Sequence, residues 1–231
     1  MGKRGAIFDL DGTLADTAAD LLNAANAVLR PRGLPELRLD RDKAYAGRGG
    51  RSMIRRSLEI AGQDPDSQTN LRQTSEIYPE LLEAYSGALA VETKLFPGVE
   101  ACLDQLESDG WALGVCTNKP EAMARDVLMA LGVLHRFGAL LGADTLPVRK
   151  PDPKHVLETA VRCGAAVRRS VMIGDTSTDL NAARAALIPC VLTRFGFAAE
   201  PIEQLNPDAI IDSYDELPRA LNRLVPNTTT A

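Results

Sequence analysis

The sequence predicts an α/β protein, a doubly wound parallel-sheet (Rossmann-like) core with an all-helical cap inserted after the first strand. Three observations predict it. Short apolar runs rich in β-branched residues alternate with longer helical patterns along most of the 231 residues, the rhythm of a parallel sheet covered on both faces. Runs such as Ser170-Val171-Met172-Ile173 are apolar without alternation, as strands buried on both sides are. Residues 17–90 break the rhythm, with helical spacing and no convincing strand.

In chain order, strands are expected at residues 5–9, 112–117, 139–142, 171–175, 190–193 and 209–212. Helices are expected between them at 99–108, 121–131, 154–163, 178–186 and 215–224. Within the insert, Leu21, Leu22, Ala25, Val28 and Leu29 repeat at helical spacing until Pro31 and Gly33 punctuate the chain. Further helical patterns cover 52–61 and 71–84, and Phe96-Pro97-Gly98 makes a turn where the chain re-enters the core. The expected division is therefore 1–16 with 91–225 as core, 17–90 as cap, and a frayed polar tail at 226–231.

Bulk properties narrow the function. A 45% hydrophobic, 25% charged composition is that of an ordinary globular protein. The net charge of −5, with no block of Lys and Arg, argues against nucleic acid as a partner. No uncharged run reaches the length of a membrane span, and the N-terminus lacks the apolar region of a secretory signal, so no membrane partner and a cytoplasmic location are expected. Cys102, Cys116, Cys163 and Cys190 form no CxxC pair and read as reduced, mostly buried thiols.

Four clusters at strand ends carry chemistry. The first strand runs into Asp9-Leu10-Asp11-Gly12-Thr13. Period-two geometry is expected to turn both carboxylates to one side at the carboxyl edge, where their repulsion raises one pKa unless a cation intervenes. A polar turn after a strand explains a lone DxD as well. Thr117 and Asn118 end the second strand and suit either a phosphate oxygen or a cap for the helix at 121. Lys150 precedes a helix start and either neutralises a phosphate or stands exposed in a loop. Asp175 ends the fourth strand with Asp179 four residues on, and the two suit either a magnesium site or a helix start, with Asp175 as N-cap and Asp179 in the first turn. Taken together, the four clusters fall on the edge where parallel sheets bind ligands.

The ordered set resembles the haloacid dehalogenase (HAD) superfamily, with Asp9-Leu10-Asp11-Gly12-Thr13, Thr117, Lys150-Pro151 and Gly174-Asp175 with Asp179 matching its four motifs over nearly the whole chain. The cap, Gly33-Leu34-Pro35 and Arg194-Phe195-Gly196-Phe197 look most like the phosphoglycolate phosphatase branch. The resemblance implies a Mg2+-dependent phosphatase acting on a small phosphorylated metabolite, 2-phosphoglycolate foremost. It makes Asp9 the nucleophile that forms a phospho-aspartate and Asp11 the acid–base residue. Asp9, Asp11 (through its carbonyl), Asp175 and Asp179 become metal ligands or their support, and Thr117, Asn118 and Lys150 hold the phosphoryl oxygens. Substrate choice is expected in the cap, with Arg48 in Tyr45-Ala46-Gly47-Arg48-Gly49-Gly50-Arg51 as the candidate grip on a carboxylate. A solvated loop explains those arginines as well. The alternatives are a sugar-phosphate phosphatase, a β-phosphoglucomutase-like mutase, and a non-catalytic phosphate-binding protein of the same fold.

Overall fold

The computed structural model describes residues 2–198 and 201–227. The expected frayed tail lies, beyond Asn227, outside the described residues. The chain divides into two units, one of Met1–Ala15 with Leu95–Ala231 and one of Asp16–Lys94.

The first unit is built on a six-stranded sheet of β1 (Lys3–Phe8), β4 (Ala112–Cys116), β5 (Ala139–Leu141), β6 (Ala165–Gly174), β7 (Cys190–Thr193) and β8 (Ala209–Ile211). Two short strands, β2 (Ala15–Asp16) and β3 (Lys94–Leu95), pair with each other where the chain leaves and rejoins this unit. The sheet order is β5-β4-β1-β6-β7-β8, and all of its pairings are parallel. β1 lies between β4 and β6, with Ile7 opposite both Gly114 and Met172. Strand order reverses at β1, so its carboxyl end opens onto the crevice where such sheets take ligands.

The apolar runs become strands because both faces of the sheet are covered. On one face, α7 (Pro153–Arg162) and α8 (Ser177–Ala185) pack Val156, Ala160, Leu180 and Ala183 against Ile7, Cys116 and Met172. The buried Leu103 and Leu106 of α5 (Val99–Ser108) and Leu217 and Leu221 of α10 (Leu217–Leu224) lie outside that cluster. Helix α6 (Glu121–Ala130) follows β4, and the short α9 (Ile202–Leu205) follows β7. Helix starts follow local chemistry. Asp152 caps α7 by accepting from the Lys154 amide, with Pro153 at the first position, and Thr176 and Asp179 form a reciprocal capping box on α8.

The second unit is helical, with α1 (Ala18–Leu29), α2 (Leu39–Gly47), α3 (Gly50–Ile60) and α4 (Gln68–Ser86). Helix α1 packs on α4, α2 and α3, and α3 on α4, burying Leu22, Leu29, Met53, Ile54, Leu58, Ile77 and Leu81. Burying a side chain of this size contributes about 1.5–3 kcal/mol. The end of the unit is tied to its start by Asp20, whose buried carboxylate accepts from the Glu92 and Thr93 amides and the Thr93 hydroxyl. Helix α2 was not evident in the hydrophobic pattern. Its buried side chains are Asp42 and Ala46, and Asp42 accepts from the Arg38 amide and Arg56 Nε, both at 2.9 Å. A polar anchor therefore replaces the apolar stripe that periodicity detects.

Candidate active site

At the carboxyl edge of the sheet, the ends of β1 and β6 bring Asp9, Asp175 and Asp179 together. One carboxylate oxygen from each lies within 4.8 Å of the other two. The Asp9 amide donates to Ile173 O at 2.9 Å, which extends the β1–β6 ladder to the residue itself. Asp175 is buried and accepts from the Phe197 amide at 2.6 Å and from Thr13 Oγ1 at 3.4 Å. Asp179 is buried too, and its Oδ2 accepts from the amides of Asp175 and Thr176 and from the Thr176 hydroxyl. Asp179 thus sits in the first turn of α8, completes its capping box and lies in the carboxylate cluster. Asp175 is not the helix cap; Thr176 takes that place.

Glycines make the crowding possible, Gly12 and Gly174 among them. A Cβ at Gly12 would come 2.2 Å from Asp175 Oδ2, and Gly12 also adopts a positive φ of 80°. A Cβ at Gly174 would come 2.3 Å from Asp179 Cγ. Any side chain at either position displaces a site carboxylate.

Lys150 is not an exposed loop residue. Its side chain is 1% exposed, and its Nζ lies 3.0 Å from Asp9 Oδ2 and 2.6 Å from Asp179 Oδ1. Burial works against the ammonium, but the Asp179 and Asp9 carboxylates outweigh it and the net shift is upward. Burial pushes Asp9 up to about 6; Lys150 opposes this, and the Asp179 and Asp11 carboxylates add to it. Asp175 is likewise pushed well up, by burial and then by Asp179 and Asp9.

Around this centre, Thr117 is buried and its Oγ1 accepts from the Lys119 amide at 3.2 Å. Asn118 is exposed and donates from Nδ2 to Lys150 O at 2.9 Å, bracing the lysine's backbone. Neither residue caps α6, because Pro120 precedes that helix and Asp144 accepts from the Glu121 amide. The strand ends at Phe8 and the chain turns through residues 10–13, so Asp11 pairs with Lys119, while Asp9 faces Lys150. Lys119 did not stand out in the sequence; its signal was a lysine three residues beyond a strand end already rich in hydroxyl and amide. The Phe197 amide was equally hidden, because a backbone donor has no sequence signature.

His155 shapes the Lys150 loop. It is buried, its Nδ1 takes the Lys150 amide at 3.3 Å and its Nε2 lies 3.1 Å from Gly142 O. With an acceptor needed at Nδ1 and a donor at Nε2, only the neutral ring satisfies both. Burial, then the Lys150 charge, lowers its pKa from 6.5 to about 4. The unfolded chain therefore binds this proton more tightly than the folded one, so stability is full above pH 6.5 and falls as pH drops toward 4. Urea unfolding of parent and His155→Gln between pH 7 and 4 should show a shallower acid loss in the variant.

The donor set at Asp9, Asp175 and Asp179 is all oxygen, and the three carboxylates outnumber the Lys150 ammonium set among them. A small hard divalent cation fits such a site by both ligand type and charge.

Residues 6–193 match the haloacid dehalogenase-like hydrolase family, and the chain belongs to it. It is a phosphoric monoester hydrolase. It is 38% identical over 226 residues to a phosphoglycolate phosphatase of Caulobacter vibrioides, covering 96% of this chain and 94% of that one. A phosphoglycolate phosphatase of Xanthomonas campestris pv. campestris is 40% identical over 216 residues, covering 93% and 94%. Among solved structures, a predicted phosphoglycolate phosphatase from Haemophilus somnus 129pt superposes with a TM-score of 0.82 at 26% identity, covering 94% of this chain and 97% of that one. Among the described residues, no helix is long and apolar enough to cross a membrane.

Proposed function

We propose that the chain hydrolyses a small phosphate monoester, 2-phosphoglycolate foremost, through a phospho-aspartate on Asp9 and with Mg2+ as cofactor. The observation that carries the reading is the clustering of half-buried Asp9 with buried Asp175, Asp179 and Lys150 at the switch point of the sheet. The named relatives support the choice of ester.

In this reading an Asp9 carboxylate oxygen attacks phosphorus and the bond to the leaving oxygen breaks. That oxygen takes a proton from Asp11. Asp11, now a carboxylate, accepts a proton from water as the water oxygen attacks the aspartyl phosphate, releasing phosphate and restoring Asp9. Lys150 neutralises the phosphoryl oxygens, with Thr117 and Asn118 as further donors, so charge is stabilised by groups fixed beforehand. Asp9, Asp175 and the Asp11 carbonyl would hold Mg2+, with Asp179 supporting them. Bound there, the cation offsets the negative charge of the carboxylates and the phosphoryl group. From the helical unit, Arg48 is assigned to the substrate carboxylate; it ends α2, exposed, its guanidinium 5.7 Å from the Tyr45 ring.

Phosphate release from 2-phosphoglycolate, hexose phosphates, glycerol phosphates and nucleotides, with Mg2+ and with EDTA, tests the assignment. The expected result is a preference for 2-phosphoglycolate, abolished by EDTA and reduced by Arg48→Ala. Preference for a sugar phosphate would remove the substrate and keep the chemistry. Release unaffected by EDTA would remove the cation.

A further inference from the structure

Lys119 carries a buried charge to which the reading above gives no task. Its side chain is 4% exposed, and its Nζ lies 2.9 and 3.2 Å from the two carboxylate oxygens of Asp11, itself 18% exposed. The lysine's backbone is fixed on both sides. Its amide donates to Thr117 Oγ1 at 3.2 Å, and its carbonyl accepts from the Ala143 amide at 2.9 Å. Gly142 leaves room for that fit, since a Cβ there would come 2.8 Å from Lys119 O and 2.3 Å from Glu121 N. The aspartate is fixed as well, by a bridge between Asp11 and Ala15 and a Gly12 amide bond to Ala15 O at 2.9 Å. The two buried lysines divide the acids, Lys150 taking Asp9 and Asp179 and Lys119 taking Asp11.

We propose that Lys119 is a positioning residue whose ammonium fixes the Asp11 carboxyl group for proton transfer to and from the leaving-group oxygen. The inference rests on Asp11 as the acid–base residue. An ammonium donates to a carboxylate oxygen and to the carbonyl oxygen of a neutral carboxyl alike, so the pairing holds orientation in both halves of the cycle. The proton matters in the first half, where the phosphorus–oxygen bond breaks and its electron pair passes to the leaving oxygen. An alkoxide needs that proton, whereas p-nitrophenolate leaves without it. A residue acting only through the proton therefore affects alkyl esters and spares the aryl ester.

Phosphate release is measured from 2-phosphoglycolate and from p-nitrophenyl phosphate with the parent, Lys119→Met, Asp11→Asn and the double variant. Lys119→Met should lower kcat on the alkyl ester about 10- to 100-fold, within what general acid catalysis supplies, and on the aryl ester less than about threefold. KM should move little for either. In the Asp11→Asn background, Lys119→Met should cost nothing further on the alkyl ester. Lys119→Arg keeps the cation and should restore most of the alkyl-to-aryl ratio; Lys119→Gln carries the Met expectation where Met is not accommodated. Equal losses on both esters, a further loss in the Asp11→Asn background, or a change confined to KM would overturn the proposal. Parental turnover by Asp9→Asn brings down the phospho-aspartate reading, whereas an inert Asp9→Asn beside an ester-independent Lys119→Met brings down this inference alone.

Discussion

The Asp9→Asn protein should fold normally and release phosphate on the order of 10⁴-fold more slowly than the parent, or not at all, because an amide cannot form the acyl phosphate. The substitution keeps the shape of the side chain and an oxygen for the Leu10 amide, which donates to Asp9 Oδ1 at 2.7 Å. It removes a charge that the site resists. Asp9 titrates near 6 in the folded chain against an ordinary 3.8, pushed there first by burial. The folded state thus binds the proton more tightly than the unfolded state, so ionisation above pH 6 costs stability, and Asn is spared that cost. At pH 7.5 without added cation, the variant should melt at or above the parental temperature while its activity is gone. Phosphate release with differential scanning calorimetry on the same samples reads both. Turnover within tenfold of the parent would remove Asp9 as nucleophile.

Lys150→Met should fail in a different way, losing stability and activity together. The ammonium is buried against two carboxylates at 3.0 and 2.6 Å. Removing one partner of a buried ionic cluster leaves charge without compensation, which costs about 3–5 kcal/mol. For a chain of this length that is a fall of roughly 6–20 °C in melting temperature. Lowering the pH should recover part of the loss, because Asp9 then takes up a proton. Activity should fall by at least about 100-fold, the scale of losing one fixed charge aimed at a transition state. A melting temperature within 2 °C of the parent would mean that Lys150 does not balance these acids.

The core sheet was legible because its strands are buried on both faces. Continuous apolar runs such as Ala6-Ile7-Phe8 and Val171-Met172-Ile173 have no alternative home in a polar surface. The acids at their ends were legible for the same reason, since a carboxylate next to such a run needs an explanation. Features held by polar contacts were not legible. Helix α2 is anchored by Asp42 rather than by an apolar stripe. The early part of β6, at Ala165–Arg169, is only partly buried and carries two arginines, so it reads as a loop. β2 and β3 are two residues each, too short for any periodicity. Asp11 lies past the end of β1, and its pairing with Lys119 is a polar contact with no periodic signature.

The order of strands also sets a schedule for synthesis. The helical unit is one continuous stretch, Asp16–Lys94, so the partners in its internal helix packing are all present once that stretch has emerged. β1 has to wait, because its neighbours β4 and β6 come later in the chain. The bond from Thr13 to Asp175 joins residues 162 positions apart, a delay of roughly 8–30 s at ribosomal rates of about 5–20 residues per second. During that interval the nascent chain carries every residue of the helical unit and an unpaired apolar strand, and its acids cannot gather until Asp179 has been made. Each newly made molecule therefore acquires its anionic pocket as one of the last events of its maturation.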